Sequence, residues 1–211
     1  YEFKDLDANF VGCDMWLAQQ IADSLGVKLE IVDMSFDGII PAVASGGQCD
    51  VGVSGFSVDP KRAKEVDFSD TYYIDDQAIA VMQGGSITKD NVDEALNAEG
   101  MIIAVQTGTT GADYAAENFP NATVQGFGNS TDCFAAMQSG QANAVITNKA
   151  VVEKMLEAYT EAEIVKSVAT GEEYAIVVAK DNPQLTAAIN EAIAKLEADG
   201  TIEELKAKNL G

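Results

Sequence analysis

The sequence contains no histidine and one arginine, Arg62, among its 211 residues. Without histidine, the chain cannot build a histidine-based catalytic triad or a histidine-ligated metal site. Its three cysteines, Cys13, Cys49 and Cys133, lie far apart and show no zinc-binding spacing. We therefore expect no metal and no cofactor. All three cysteines are interpreted as small buried hydrophobic residues, with a catalytic thiol or a Cys13–Cys49 pair as alternatives.

Positive charge is also scarce, since 34 acidic residues face 13 basic ones and leave a net charge of −21. This charge excludes nonspecific nucleic-acid binding, which depends on basic residues that neutralise phosphates. It disfavours anionic membranes and strongly anionic ligands, whereas a zwitterion carries no net charge. No apolar run approaches the roughly 18 residues of a membrane span. The sequence has no signal segment before Tyr1, so we expect a mature or trimmed chain.

The single arginine follows a short apolar run, 51–53, that is typical of a buried strand. That run breaks at Ser54 and Gly55, and Arg62 comes seven residues later. An arginine fork can bind a carboxylate with two parallel hydrogen bonds, which lysine cannot do. The pattern indicates a carboxylate clamp. A surface arginine in a charged turn is the alternative.

Strand and helix patterns alternate along the chain, which predicts an α/β fold with a parallel-rich sheet and right-handed crossovers. Asp14 is expected to cap a first helix that ends at Gly26, and a strand is expected at 28–32. Later helices are predicted near 36–45, 90–98, 131–139, 149–158 and 183–199. Another helix is expected to follow the loop at 107–111 and end near Asn118, and a capping box at 201–204 is expected to begin a final helix. Further strands are predicted at 77–82, 101–106, 123–127, 144–147, 163–167 and 174–179, after an initial hairpin with a turn at 5–9.

Two features predict two lobes of similar construction. Gly84 and Gly85 interrupt the pattern of helices and strands. Residues 40–53 and 134–146 share the same order of an apolar helix, a Ser-Gly helix end and a strand. Residues 1–83 and 180–211 are expected to form the first lobe, and 84–179 the second. Hinges are expected near 82–86 and 176–181, with ligand bound at the strand ends of both lobes.

Several segments, in this order and spacing, resemble the type-3 solute-binding proteins, the extracytoplasmic amino-acid receptors of ABC importers. They are 11–18 (VGCDMWLA), 36–42 (FDGIIPA), 55–64 (GFSVDPKRAK), 66–70 (VDFSD) with Tyr72 and Tyr73, and 106–110 (QTGTT). The resemblance covers nearly the whole chain. It implies a type II periplasmic-binding-protein fold, in which two hinge strands join two parallel-rich sheets. The first strand of the first lobe is expected to be missing from this sequence.

The resemblance implies roles for ligand-binding residues. Arg62 would bind the α-carboxylate of an amino acid, with help from Ser57. The helix start at Thr109 and Thr110 would add a backbone N–H, a position that favours anions. The carbonyl of Gly55 would accept a hydrogen bond from the α-ammonium.

Other positions would contact the rest of the ligand. Phe36 and Tyr1 would flank its aliphatic part, with core packing as the alternative for Phe36. Gln106 would face the ligand side chain, with solvent exposure as its alternative. Asn148 stands where the family usually has an aspartate that binds the α-ammonium. Three interpretations of Asn148 stay open. Its amide oxygen binds the ammonium without the charge-assisted share of the hydrogen bond, or it suits a ligand with a less basic nitrogen, or it only caps the following helix.

The resemblance implies a receptor that binds a small zwitterionic amino acid between its lobes and delivers it to an ABC importer permease. Such a protein is a monomer and not an enzyme, and it works in the periplasm or as a cell-surface lipoprotein. Two alternatives stay open. One is an enzyme similar to cyclohexadienyl dehydratases, for which Glu172 and Glu173 are the candidate acids. The other is the ligand-sensing domain of a larger receptor.

Overall fold

The computed structural model describes residues 1–4, 7 and 9–207. Three residues of the expected turn at 5–9, namely Asp5, Leu6 and Ala8, lie outside them. Contacts within the chain define two units. Unit 1 comprises Tyr1–Met34, Gly38–Ile74 and Glu172–Gly211, and unit 2 comprises Ser35–Asp37 and Asp75–Gly171.

Helices and strands alternate along most of the chain. The strands are β1 (Phe3–Lys4), β2 (Phe10–Val11), β3 (Val51–Ser57), β4 (Val66–Phe68), β5 (Tyr73–Met82), β6 (Ile102–Gln106), β7 (Thr123–Phe127), β8 (Ala144–Asn148) and β9 (Ala162–Ala179). The helices are α1 (Cys13–Leu25), α2 (Phe36–Ala44), α3 (Val92–Leu96), α4 (Thr110–Asn118), α5 (Ser130–Gln138), α6 (Lys149–Met155), α7 (Pro183–Ala198) and α8 (Thr201–Ala207). A short 3-10 turn covers Arg62–Lys64.

Unit 1 is built on the second half of β9, which pairs antiparallel with both β3 and β4. Helix α1 packs on α7 through its apolar face, where Leu17 and Ile21 are buried. It ends at Gly26, whose φ of 67° is the left-handed conformation that glycine adopts most readily. This packing gives unit 1 a core of its own beside the end of β3.

Unit 2 contains the strand order β9–β5–β8–β6–β7. Strand β6 runs parallel to β7 and β8, whereas β5 and β8 are antiparallel. Because successive strand residues point to opposite faces, the buried residues of β6 divide between two cores. Ile103 and Val105 pack with Leu96 and Phe119, while Ala104 packs with Phe134 on the other face. Helices therefore cover both faces of this sheet.

Two expectations about strands are wrong. Residues 28–32 form no strand, and Ile31 and Val32 are exposed. A strand is stable only beside a partner, and no described strand pairs with this segment. The expectation of a parallel-rich sheet also fails for unit 1, because its described pairings, β1–β2, β3–β9 and β4–β9, are all antiparallel.

Two of the crossings between unit 1 and unit 2 lie inside strands, between Ile74 and Asp75 in β5 and between Gly171 and Glu172 in β9. The other two flank the short segment Ser35–Asp37. The sequence placed the two strand crossings later, at 83–84 and 179–180, because Gly84 and Gly85 look like a break. The glycines instead follow the end of β5, and the two strands predicted at 163–167 and 174–179 are one continuous strand.

Candidate functional site

Arg62 is held against the end of β3. The carboxylate of Asp59 accepts hydrogen bonds from the backbone nitrogens of Lys61 (2.7 Å) and Arg62 (3.2 Å), which shapes the turn. From this turn, Nη1 of Arg62 donates to the carbonyl oxygen of Ser57 at 2.9 Å. The guanidinium carbon lies 5.4 Å from the centroid of the Phe56 ring. The arginine is half-buried and anchored on the strand end.

Ser57 is buried, and its hydroxyl donates to the carboxylate of Glu172. The contact follows from the ladder, since Ser57 pairs with Tyr174 across β3 and β9 and Glu172 lies two residues earlier. The Ser57 hydroxyl, which the resemblance assigned to the ligand carboxylate, is therefore already bound to the Glu172 carboxylate of the protein. In the sequence, Glu172 had drawn notice only as a candidate catalytic acid. A separation of 115 residues hides this contact from local patterns.

Gly55 is fixed by a buried acid that the sequence assigned another role. Asp14 is fully buried, and its Oδ2 accepts from the Gly55 nitrogen at 2.7 Å while Oδ1 accepts from the Tyr72 hydroxyl at 2.8 Å. Burial raises the pKa of Asp14 above its usual value. Burial, followed by the charge of Asp14, raises the pKa of Tyr72 well above normal. The expectation that Asp14 caps α1 is wrong, because Gly12 occupies the N-cap position.

Tyr1 and Gly55 are in contact. A Cβ atom placed on Gly55 would lie 2.7 Å from Cδ2 of Tyr1, so the ring rests directly on the glycine. The Tyr1 ring also meets Tyr174 edge-on at 5.1 Å and Tyr73 at 6.1 Å between centroids. Tyr73 and Tyr174 stack at 5.9 Å. This aromatic cluster forms one wall beside the Gly55 backbone.

In unit 2, the N-terminus of α4 is organised by its own threonines. Thr109 is the N-cap, and its hydroxyl oxygen accepts from the Ala112 nitrogen at 3.2 Å and donates to the Gln106 carbonyl at 2.8 Å. Thr110 begins the helix, and its hydroxyl accepts from Nε2 of Gln77 at 3.3 Å. The backbone N–H groups at such a helix start favour an anion.

Gln106 and Phe36 also belong to unit 2. The Gln106 side chain is half-buried; its Nε2 donates to the Gly128 carbonyl at 3.2 Å, and its Oε1 accepts from the Ser130 hydroxyl at 3.3 Å. Phe36 is the first residue of α2 and is half-buried, outside the fully buried core. Both side chains keep exposed surface.

Asn148 ends β8 opposite Gln77 of β5. It occupies the N-cap position of α6, but its side chain makes no cap hydrogen bond. The interpretation of Asn148 as a helix cap is therefore wrong. Instead, Oδ2 of Asp75 accepts from the Ala150 nitrogen at 3.0 Å. Nδ2 of Asn148 is buried and has no hydrogen-bond partner among the described residues.

No group of three or more His, Cys, Asp or Glu residues in the described part of the chain could hold a metal ion. The cysteines are unpaired, so no Cys13–Cys49 bond forms, and Cys49 is half-buried rather than buried as expected. Burial raises the pKa values of Cys13 and Cys133 to about 12, which disfavours the thiolate that a nucleophile needs.

The predicted residues thus fall into two groups. In unit 1, Tyr1 contacts Gly55, and Arg62 contacts Ser57. In unit 2, Thr109 contacts Gln106 through its hydrogen bond to the carbonyl. Asp14, Asp75 and Glu172 contact these groups or their neighbours and were not predicted as binding residues.

Comparisons with known proteins identify the family. The family described as "Bacterial extracellular solute-binding proteins, family 3" matches residues 1–211. The chain is 32% identical over 200 residues to the ABC transporter glutamine-binding protein GlnH of Bacillus subtilis (strain 168), covering 93% of this chain and 71% of that protein.

Solved structures agree with this family. An ancestral arginine-binding protein bound to arginine has a TM-score of 0.91 and 34% identity, covering 100% of this chain and 93% of that one. An ancestral arginine-binding protein bound to glutamine has a TM-score of 0.90 and 35% identity, covering 99% of this chain and 92% of that one.

The likeness shows the α/β fold of the periplasmic binding proteins. These proteins are named for binding, and the chain is likewise a binding protein and not an enzyme. Within the part of the chain that the structure describes, no helix is long and apolar enough to cross a membrane. The chain belongs to family 3 of the bacterial extracellular solute-binding proteins.

Proposed function

We propose that this protein is a receptor that binds a zwitterionic α-amino acid and delivers it to the permease of an ABC importer. The observation that carries the proposal is the placement of the sole arginine. Arg62 is anchored by the Ser57 carbonyl and the Phe56 ring at the end of β3. A guanidinium held in this way is prepared to bind a carboxylate with two hydrogen bonds.

The remaining groups fit the other charges of such a ligand. The backbone N–H at Thr110, at the start of the nine-residue helix α4, favours a carboxylate. The carbonyl of Gly55, whose conformation is fixed by the bond to Asp14, can accept from an ammonium. Tyr1, Phe36 and Gln106 supply the apolar and amide surface for the ligand side chain.

Glutamine and arginine are the amino acids to test first. The relatives named above bind glutamine or arginine. A net charge of −21 attracts a cationic amino acid and repels an anionic one at long range. We propose that neutral and cationic amino acids bind, and that glutamate and aspartate bind more weakly.

A thermal-melting screen over the twenty amino acids tests the proposal. A ligand at 100 times its dissociation constant stabilises the folded protein by roughly 2.7 kcal/mol, which raises the melting temperature measurably. Each active amino acid is paired with its α-amide, which keeps the side chain and the ammonium but lacks the carboxylate. Binding of an amino acid but not of its amide supports the clamp. No shift with any amino acid contradicts the function.

Delivery to a permease places the protein outside the cytoplasm, in the periplasm or as a cell-surface lipoprotein, and we propose that it acts there as a monomer. The test is transport by the cognate importer in proteoliposomes. Uptake that depends on this protein and on the amino acid found in the screen supports the role. The same uptake without the protein contradicts it.

A further inference from the structure

We propose that Asp14 is the buried counter-charge of the ligand's ammonium, acting through the Gly55 backbone, so that amino-acid binding expels a proton from this acid. The inference rests on the proposed function, since it concerns the ammonium expected at the Gly55 carbonyl. It involves residues of unit 1 alone. Neither the sequence analysis nor the family resemblance gives Asp14 a part in binding.

The first step is the direct bond between the acid and the glycine. Oδ2 of Asp14 accepts from the Gly55 nitrogen at 2.7 Å, although the two residues lie 41 positions apart. The nitrogen and the carbonyl oxygen of one residue are at most about 4.2 Å apart, because three bonds join them. An ammonium bonded to the Gly55 carbonyl therefore lies within about 10 Å of the Asp14 carboxylate. Over this range salt screens the charge of a buried acid only weakly.

The second step is the burial of this acid. Asp14 is fully buried, and its Oδ1 accepts from the Tyr72 hydroxyl at 2.8 Å. The hydroxyl and the Gly55 amide are dipoles and carry no full charge. A nearby cation stabilises an ionised carboxylate more strongly in such surroundings than in water, because the local dielectric constant is lower.

The third step is the proton that the ligand-free protein holds. Burial raises the pKa of Asp14, and the charge of the Tyr1 amino group, followed by the two hydrogen bonds, lowers it by less. A bound ammonium favours the ionised carboxylate, and by linkage the ionised carboxylate binds the ammonium more tightly. The O–H bond of the protonated carboxyl then breaks and the proton passes to the buffer. Affinity therefore rises with pH up to the pKa of Asp14 in the ligand-free protein.

Other titratable groups face Asp14. Loss of hydration, followed by the charge of Asp14, raises the pKa of Glu2. The Glu2 carboxylate lies 3.9 Å from the Tyr1 amino group. Burial raises the pKa of Cys13 to about 12 and that of Tyr72 well above normal, so both groups stay neutral. Glu2 is therefore the acid that a test has to distinguish from Asp14.

The alternative is that Asp14 only holds Gly55 and Tyr72 in place. Asparagine can keep both hydrogen bonds without carrying the charge. A purely structural role predicts that Asp14→Asn binds the amino acid as the wild type does, with the same dependence on pH. A counter-charge predicts weaker binding and no proton release from this position.

The experiment is calorimetry with the amino acid that the melting screen identifies, in buffers of different ionisation enthalpy. Measurements run from about pH 4 to about pH 7, where the ligand's ammonium stays protonated. The wild type is expected to release up to about one proton per ligand, with affinity rising at most about ten-fold per pH unit. Asp14→Asn is expected to lose this release and to bind roughly three- to thirty-fold more weakly near pH 7. Asp23→Asn, at an exposed position of α1, is the matched control and is expected to behave as the wild type.

Two further measurements separate the charge from the fold. A des-amino analogue of the ligand, which has no ammonium, is expected to bind the wild type and Asp14→Asn within about two-fold of each other. Tyr72→Phe tests the same acid without replacing it. It removes a hydrogen bond that lowers the pKa of Asp14, so proton release is expected to extend to higher pH than in the wild type.

The outcomes separate the inference from the proposed function. If the wild type binds no amino acid, the proposed function fails. If it binds one and Asp14→Asn matches it in affinity and in proton release, Asp14 is only structural and the inference is overturned. Proton release that survives in Asp14→Asn and disappears in Glu2→Gln overturns it as well, because Glu2 is then the titrating group. Equal weakening of the amino acid and its des-amino analogue by Asp14→Asn, or an unchanged pH profile in Tyr72→Phe, also contradicts it.

Discussion

Arg62 donates from Nη1 to the Ser57 carbonyl oxygen across 2.9 Å, and its guanidinium carbon lies 5.4 Å from the Phe56 ring centroid. At the end of β3, the guanidinium is therefore held by the backbone carbonyl of Ser57 and by the aromatic ring of Phe56. Because few rotamers remain to be frozen when a ligand binds, the ordering cost of a carboxylate contact is reduced. This arrangement gives the first prediction.

Arg62→Ala is expected to remove most amino-acid binding. Removing one partner of a buried charge pair typically costs about 2–5 kcal/mol, which at about 1.4 kcal/mol per decade is roughly 30- to several-thousand-fold in affinity. The melting temperature of the ligand-free protein should change little, because Arg62 keeps exposed surface. Calorimetry and a melting curve on the same sample test both parts. Near-normal titration would show that Arg62 is not the clamp.

Arg62→Lys is the matched variant that retains the charge. One ammonium cannot form two parallel hydrogen bonds to a carboxylate, nor stack its plane on Phe56. We therefore expect Arg62→Lys to lose at least ten-fold in affinity. A lysine variant that binds like the wild type would mean that charge alone suffices and that fork geometry has no role.

If Ser57 binds the ligand carboxylate, as proposed, Glu172 competes with the ligand for the Ser57 hydroxyl. This hydroxyl donates to the Glu172 carboxylate, so a ligand carboxylate would have to displace Glu172 and lie beside a like charge. Glu172→Gln is expected to tighten amino-acid binding about three- to ten-fold, since a neutral acceptor is weaker and does not repel the ligand.

The control for this prediction is Glu173→Gln. Glu173 is the neighbouring acid and is exposed, and its carboxylate accepts a long hydrogen bond of 3.4 Å from the Thr71 hydroxyl. It tests the effect of one lost negative charge at almost the same place. Weaker binding by Glu172→Gln, with Glu173→Gln unchanged, would show that Glu172 orients Ser57 for the ligand instead of competing with it.

Local patterns in the sequence predicted the elements whose contacts repeat along one segment. Helix α7 begins at Pro183, and Ile189, Ile193 and Leu196 are buried at the expected helical spacing. Strand β6 was predicted from its continuous apolar run and is buried on both faces. Such elements can be predicted because periodicity and end signals lie within the segment itself.

The predictions that were wrong or missing concern segments and side chains whose partners lie far away in the sequence. Residues 28–32 have the alternation of a strand, but pairing decides whether a strand forms. Asp14 looks like a helix cap, yet its partners Gly55 and Tyr72 lie 41 and 58 residues away. Glu172 reaches Ser57 over 115 residues. No local pattern records contacts of this separation, so the support around the predicted site was not visible.

Asp14 is expected to make the stability of the protein depend on pH. Burial raises the pKa of Asp14 in the folded protein, while in the unfolded chain the group titrates at about 3.9. Between these two pKa values the folded state binds more protons than the unfolded one, so stability falls as pH rises. Asp14→Asn removes this titration and is expected to flatten the slope in urea-unfolding curves collected above about pH 4.

Asparagine at this position can keep both hydrogen bonds. Its Oδ1 accepts from the Gly55 nitrogen, and the Tyr72 hydroxyl can turn to accept from Nδ2. Asp23→Asn, the same substitution at an exposed position of α1, is the matched control and should retain the wild-type slope. An unchanged slope in Asp14→Asn would show that another group carries the pH dependence.

Gly55→Ala is expected to destabilise unit 1 for two separable reasons. The φ angle of Gly55 is +54°, and a left-handed conformation costs an alanine about 1–2 kcal/mol. The new Cβ would also lie 2.7 Å from Cδ2 of Tyr1, so the ring has to move. Gly26→Ala isolates the first cost, because its φ is +67° and its Cβ would meet nothing within 4 Å. Urea unfolding should show a larger loss for Gly55→Ala than for Gly26→Ala. Adding Tyr1→Ala to Gly55→Ala should recover only the part of the loss by which Gly55→Ala exceeds Gly26→Ala. If the free-energy changes of Tyr1→Ala and Gly55→Ala simply add, the ring does not constrain Gly55.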